Sequence, residues 1–200
     1  MDLTPLQHCI WQHRFDDPLR TYRTLYCAQQ RKTSFLEVLE FLRPKLSAVR
    51  ELAEKLGVPL EAAERDTGKV TLSWIVSHAL APGFLQIVLG QILDLDDPAL
   101  RRKIGMERAE LFLEHGVEKL DISTVRSPNR KVTQPISRFL YDLGAAGIQF
   151  GSNVDGKLCL ALFEDRARLD PGGPPEPLAG LLHEIAPILE DLGLTLSWQL

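Results

Sequence analysis

Gly147–Phe163 reads GIQFGSNVDGKLCLALF. Ile148–Phe150 and Leu158–Phe163 are short apolar runs, and Gly151–Gly156 between them collects the Gly, Ser, Asn and Asp that turns require. The segment therefore reads as two strands joined directly, with no helix between them. Upstream, Thr133–Leu143 has helical character and closes at Gly144, and Asp97-Pro98 is a cap followed by proline, the start of a helix running to Gly116. Downstream, the Pro/Gly-rich loop Asp170–Pro177 leads into a helix over Leu178–Leu192 and a strand over Leu194–Trp198. Toward the N-terminus, Thr21–Ala28 (TYRTLYCA) reads as a strand, Thr33–Pro44 as a helix ended by its proline, and Ser47–Leu56 as a helix stopped by Gly57. Val58–Gly68 is a short helix or a loop. Lys69–Leu80 and Leu85–Leu95 are apolar and ambiguous, with a strand expected over Gln86–Leu93. Helices and strands are interspersed without regular βαβ alternation, so the expected class is α+β, in a single domain over residues 1–200.

The 200 residues are 44% hydrophobic and 25% charged, enough apolar material for an ordinary core. A net charge of −4 and the absence of any Lys/Arg block argue against direct nucleic-acid binding. Cys9, Cys27 and Cys159 are odd in number, far apart and set among apolar neighbours, and so read as reduced core thiols. Met1–Thr4 lacks the basic and apolar regions of a signal peptide, and no run is long enough to span a bilayer. A soluble, cytoplasmic protein is the expectation.

Familiar chemical motifs are missing: there is no G-x-G-x-x-G, P-loop, H-E-x-x-H or G-x-S-x-G. His8, Cys9 and His13 lack the second pair of ligands a structural zinc site needs, and Asp94, Asp96 and Asp97 are explained by capping of the following helix. No metal is expected. Arg14-Phe15-Asp16-Asp17-Pro18 asks for more attention, because it sets a cation, an aromatic, two carboxylates and a proline in succession. Asp16, Asp17 and Pro18 suit a turn. Glu37 stands in an otherwise apolar helix, where Ser34–Glu37 also fits an S-x-x-E capping box and Glu37, Glu40 and Arg43 fit a solvated stripe. Ser152 follows a strand and has the position of a turn residue.

In combination these motifs resemble the RES domain family. Arg14–Pro18, Tyr22–Ala28 (YRTLYCA) and Phe35–Leu39 (FLEVL) resemble its first half. Leu120–Thr124 (LDIST), Arg130–Gln134 (RKVTQ), Gly147–Ser152 (GIQFGS) and Cys159–Glu164 (CLALFE) resemble its second half, so the motif-bearing part covers about residues 14–164. The naming Arg, Glu and Ser of the family map onto Arg14, Glu37 and Ser152, and its strand tyrosine onto Tyr26.

The resemblance implies an ADP-ribosyltransferase-like fold, mixed sheets flanked by helices, and NAD+ as substrate rather than bound cofactor. It also implies the toxin of a toxin–antitoxin pair that cleaves NAD+ by phosphorolysis or hydrolysis, with an Xre-type helix-turn-helix antitoxin as partner. Arg14, Tyr26, Glu37 and Ser152 would be the catalytic set: Arg14 bridging diphosphate oxygens, Glu37 stabilising an oxocarbenium-like sugar, Tyr26 stacking on nicotinamide or bonding a hydroxyl, and Ser152 orienting the ribose or the incoming phosphate. A protein ADP-ribosyltransferase shares the fold and the bond broken. Family members usually carry a strand with a Tyr-Arg pair well upstream of the position matched by Arg14. No such pair occurs in residues 1–13, which leaves open a catalytically inactive RES-like binding module.

Overall fold

The computed structural model describes residues 11–198; His8 and Cys9 lie outside the described residues. In chain order the elements begin with β1 (Thr24–Ala28), α1 (Arg31–Glu40), α2 (Leu46–Leu56), α3 (Leu60–Thr67), β2 (Lys69–Thr71), α4 (Leu72–Ser77) and β3 (Ala79–Leu80). Next come β4 (Gly83–Ile87), β5 (Ile92–Asp94), α5 (Pro98–Glu107), α6 (Ala109–Glu114), α7 (Ile122–Arg126) and α8 (Arg130–Asp142). The chain ends with β6 (Gly147–Gly151), β7 (Leu158–Phe163), β8 (Ala167–Pro171), β9 (Glu176–Pro177), a 3-10 turn (Leu178–Leu181), α9 (Leu182–Asp191) and β10 (Thr195–Ser197). Strands gather into several small sheets flanked by helices, an α+β arrangement as the interspersed pattern predicts. The described residues form two compact units, 11–29 with 84–170 and 30–83 with 171–198.

The first unit is built on a four-stranded sheet in the order β1-β7-β6-β5. The hairpin is as expected: β6 and β7 are antiparallel, with Gly151 opposite Leu158 and Gly147 opposite Leu162. β1 adds antiparallel to β7 (Thr24 opposite Phe163), and β5 adds parallel to β6. The pleat sends alternate residues of β7 to opposite faces. Cys159, Ala161 and Phe163 enter the main core with Ile136, Leu140 and Phe139 of α8, whereas Leu160 and Leu162 pack with Leu25, Cys27 and Ile92 on the other side. α8 is capped by Asn129, whose side chain accepts from the Lys131 amide, and is followed by Gly144 at φ 89°.

Two expectations in this unit need correction. Gln86–Leu93 is not one strand: β4 ends at Ile87, the chain turns through Gly90 at φ 80°, and β5 starts at Ile92. The helix expected from Asp97 to Gly116 breaks at Arg108, which leaves helical geometry (φ −124°, ψ 27°) with its guanidinium 4.9 Å from the Phe139 ring. Asp97 does cap α5, accepting from the Ala99 amide at 2.8 Å, with Pro98 in the first turn.

In the second unit, Val49 and Ala53 of α2 pack on Ala63 of α3 across the left-handed Gly57. The ambiguous Lys69–Leu80 divides into strand, helix and strand; β2 pairs parallel with β10, and β3 pairs antiparallel with β9 inside the expected Pro/Gly loop. Thr71 caps α4, its hydroxyl accepting from the Trp74 amide. No helix among the described residues is long and apolar enough to cross a membrane.

Candidate functional site

The Arg14–Pro18 segment is a tightly tied turn. Asp17 is fully buried; its carboxylate accepts from the Leu19 amide at 3.0 Å and from the Thr21 amide and hydroxyl at 2.5 and 2.7 Å, with Arg138 at 3.6 Å. Burial pushes this carboxyl up, but the Thr21 and Leu19 bonds and the Arg138 charge outweigh it and hold it below its ordinary value. Asp16, 4% exposed, accepts from the His13 amide at 2.7 Å and from the Tyr26 hydroxyl at 3.1 Å. The two carboxylates thus do the turn-forming work their residue types suggest.

α8 grips the same segment along one face. Arg130 and Gln134, one helical turn apart, donate to the backbone carbonyls of Gln12 and His13, and the Ser137 hydroxyl donates to the Phe15 carbonyl at 2.6 Å. The RKVTQ motif therefore has a local reason: its Arg and Gln fasten the chain just before Arg14. Phe15, fully buried, packs against Phe150 of β6 with ring centroids 5.0 Å apart.

Arg14 emerges from this turn half-buried. Its Nη1 donates to the Asn153 side-chain oxygen at 3.1 Å and lies 3.4 Å from the Arg126 carbonyl, and its guanidinium carbon is 4.9 Å from the Phe150 ring centroid. Asn153 reaches back, donating to the Arg126 carbonyl at 2.7 Å. Arg126 itself lies over Gly151 and pairs with Asp96 at 3.1 Å. A Cβ on Gly151 would lie 2.3 Å from the Arg126 Nη2, so glycine is what lets this second guanidinium approach the hairpin.

Tyr26 of β1 turns its hydroxyl inward, accepting from the Phe15 amide at 2.8 Å and donating to Asp16. Burial first, and the Asp16 carboxylate second, push that phenol well above its ordinary value. It stays a neutral donor that fastens the turn to the sheet. Ser152 is 1% exposed, and its Oγ accepts from the Val154 and Asp155 amides at 3.1 and 3.4 Å, tying the hairpin loop. The first unit thus brings Arg14, Tyr26 and Ser152 together around one hairpin.

Glu37 belongs to the second unit. α1 begins at Arg31 with Gln30 as its cap residue, so Ser34 lies inside the helix and its hydroxyl donates back to the Gln30 carbonyl at 3.3 Å. The capping-box reading of Ser34–Glu37 is therefore corrected: an S-x-x-E spacing caps only when the Ser precedes the first turn. Glu37 is mid-helix and half-buried, and Glu40 pairs with Arg43 at 3.5 Å. Of the acidic residues near α5, Asp94 accepts from Gln149 at 3.0 Å, Asp96 pairs with Arg126 and Asp97 caps the helix. Arg126 and Asn153 escaped the sequence reading. Their signal was position alone: each adjoins a segment of the family pattern.

A family model of the RES domain matches residues 3–179. The chain belongs to the RES domain family. The match includes 58–116, where no individual motif stands out. RES domains are NAD-related domains of the toxin–antitoxin type. No curated protein and no solved structure matches this RES domain.

Proposed function

We propose that this RES domain cleaves the nicotinamide–ribose bond of NAD+, by phosphorolysis or hydrolysis, as the toxin of a pair whose antitoxin is an Xre-type helix-turn-helix protein. The observation that carries the reading is the way Arg14 is held. Buried carboxylates, a phenol and three α8 side chains fix the backbone on either side of it, while its guanidinium reaches the Gly151–Asn153 end of the hairpin. So much local investment in orienting a planar cation suits bidentate binding of diphosphate oxygens.

As the C1′–N bond breaks, its electron pair leaves with nicotinamide and positive charge develops on the ribose. An oxygen of phosphate or water then bonds C1′, giving ADP-ribose 1″-phosphate, or ADP-ribose with release of a proton. A fixed carboxylate stabilises the developing cation, the task we assign to Glu37. Tyr26 acts chiefly by holding the Arg14 turn, and Ser152 by shaping the hairpin loop beside it. The test is nicotinamide release from purified protein, followed by chromatography with and without inorganic phosphate. Release is expected, and acceleration by phosphate marks phosphorolysis. No release under either condition from folded protein overturns the proposal, and transfer of labelled ADP-ribose to protein would replace it with protein modification.

A further inference from the structure

Gly83–Gly90 contains no charged residue, yet Phe84, Leu85, Ile87, Val88 and Leu89 are 71, 41, 45, 63 and 63% exposed. Isolated exposed apolar side chains are ordinary on a protein surface; five within six residues form a patch. The patch is also an edge. Among the described residues, β8 is the only strand hydrogen-bonded to β4, so the opposite side of β4 presents unpaired backbone donors and acceptors. Protein edges usually carry a Lys, a Pro or a bulge that blocks further pairing, and Phe84–Leu89 has no Lys or Pro.

This strand is held in place. The Val88 and Leu89 amides donate to the Arg166 carbonyl at 2.8 and 3.1 Å, and the Arg168 guanidinium donates to the Gln86 side chain at 2.8 Å. Gly90 then seats its backbone against Gly144, where a Cβ would meet the Gly144 carbonyl oxygen at 2.1 Å. A preformed ribbon loses little conformational entropy on pairing.

The sequence of the strand matches itself. An antiparallel two-fold pairing centred on Gln86 sets Leu85 opposite the partner's Ile87 and Phe84 opposite the partner's Val88, the residue that follows the strand, giving the aliphatic and aromatic–β-branched pairs that stabilise sheets. Such a pairing joins two apolar backbone edges and covers part of the exposed surface of these side chains on each copy. We infer that β4 is a self-pairing edge, through which two copies of this chain join into a continuous β8-β4-β4-β8 sheet.

Sedimentation or light scattering at about 100 μM should give twice the monomer mass, and the doubly substituted Phe84→Lys/Val88→Lys protein should give the monomer mass. Both positions are exposed, so far-ultraviolet dichroism should be unchanged. Gln86→Cys adds a register test. Residues opposite each other across an antiparallel pair have Cα atoms about 4.5–5.5 Å apart, within disulfide reach, so mild oxidation should cross-link Gln86→Cys far more than the parent or Phe84→Cys. A parent that stays monomeric overturns the inference and leaves the edge to a strand of a different protein. A dimer that survives Phe84→Lys/Val88→Lys overturns it in favour of another surface.

Discussion

Arg14 and Glu37 carry the sharpest single-residue claims. Lysine at position 14 keeps the charge but loses the planar fork that both reaches Asn153 and suits a diphosphate. Arg14→Lys should weaken NAD+ binding ten- to a hundred-fold, roughly 1.4–3 kcal/mol, measured by calorimetry in a Glu37→Gln background so that substrate persists. Equal affinity with Arg and Lys would remove the clamp. Glu37 allows a cleaner separation than its sequence suggested, because a mid-helix position makes no cap. Gln and Glu have nearly the same helix propensity, so Glu37→Gln should melt within a few degrees of the parent. Its kcat for nicotinamide release should fall about a hundred- to a thousand-fold, the usual effect of losing a fixed electrostatic contact. Surviving turnover in a folded variant would end the assignment.

Glycines that look alike in the sequence do different work in the elements they join. At Gly90 the backbone sits at φ 80°, and a Cβ would strike a backbone oxygen, which cannot step aside. At Gly151 the nearest obstacle is the tip of the Arg126 side chain, which can swing away. Gly90→Ala should therefore cost about 2–4 kcal/mol and Gly151→Ala under about 1 kcal/mol, read from denaturant unfolding. Comparable losses would mean that the close approach at Gly90 is relieved by backbone movement. The same contrast explains what the sequence could convey. The β6–β7 hairpin was legible because two short apolar runs and the Gly/Ser/Asn/Asp turn between them act locally. The break inside Gln86–Leu93 was not, because the turn at Gly90 is fixed by Gly144, far along the chain. The start of α1 was misplaced because Ser-x-x-Glu can also lie inside a helix, as Ser34 and Glu37 do.

For the molecule as a whole, the α+β class was readable, and the family resemblance singled out Arg14, Tyr26 and Ser152, but the groups that hold them in place were not readable. Arg130, Gln134, Ser137 and Arg138 recur on one face of α8, a pattern that also fits a solvated stripe. Only the segment Gln12–Thr21, over a hundred residues earlier, shows what that face is for. The distance along the chain has a consequence for synthesis. Arg14 and its Asn153 anchor are 139 residues apart, and β1 pairs with β7. At the usual 5–20 residues per second, a ribosome that has delivered Arg14 needs roughly 7–30 s more before Asn153 is even translated. The nascent protein thus carries its arginine without the hairpin that anchors it until Asn153 and β7 have been made, and any product terminated before the hairpin is completed lacks that anchor.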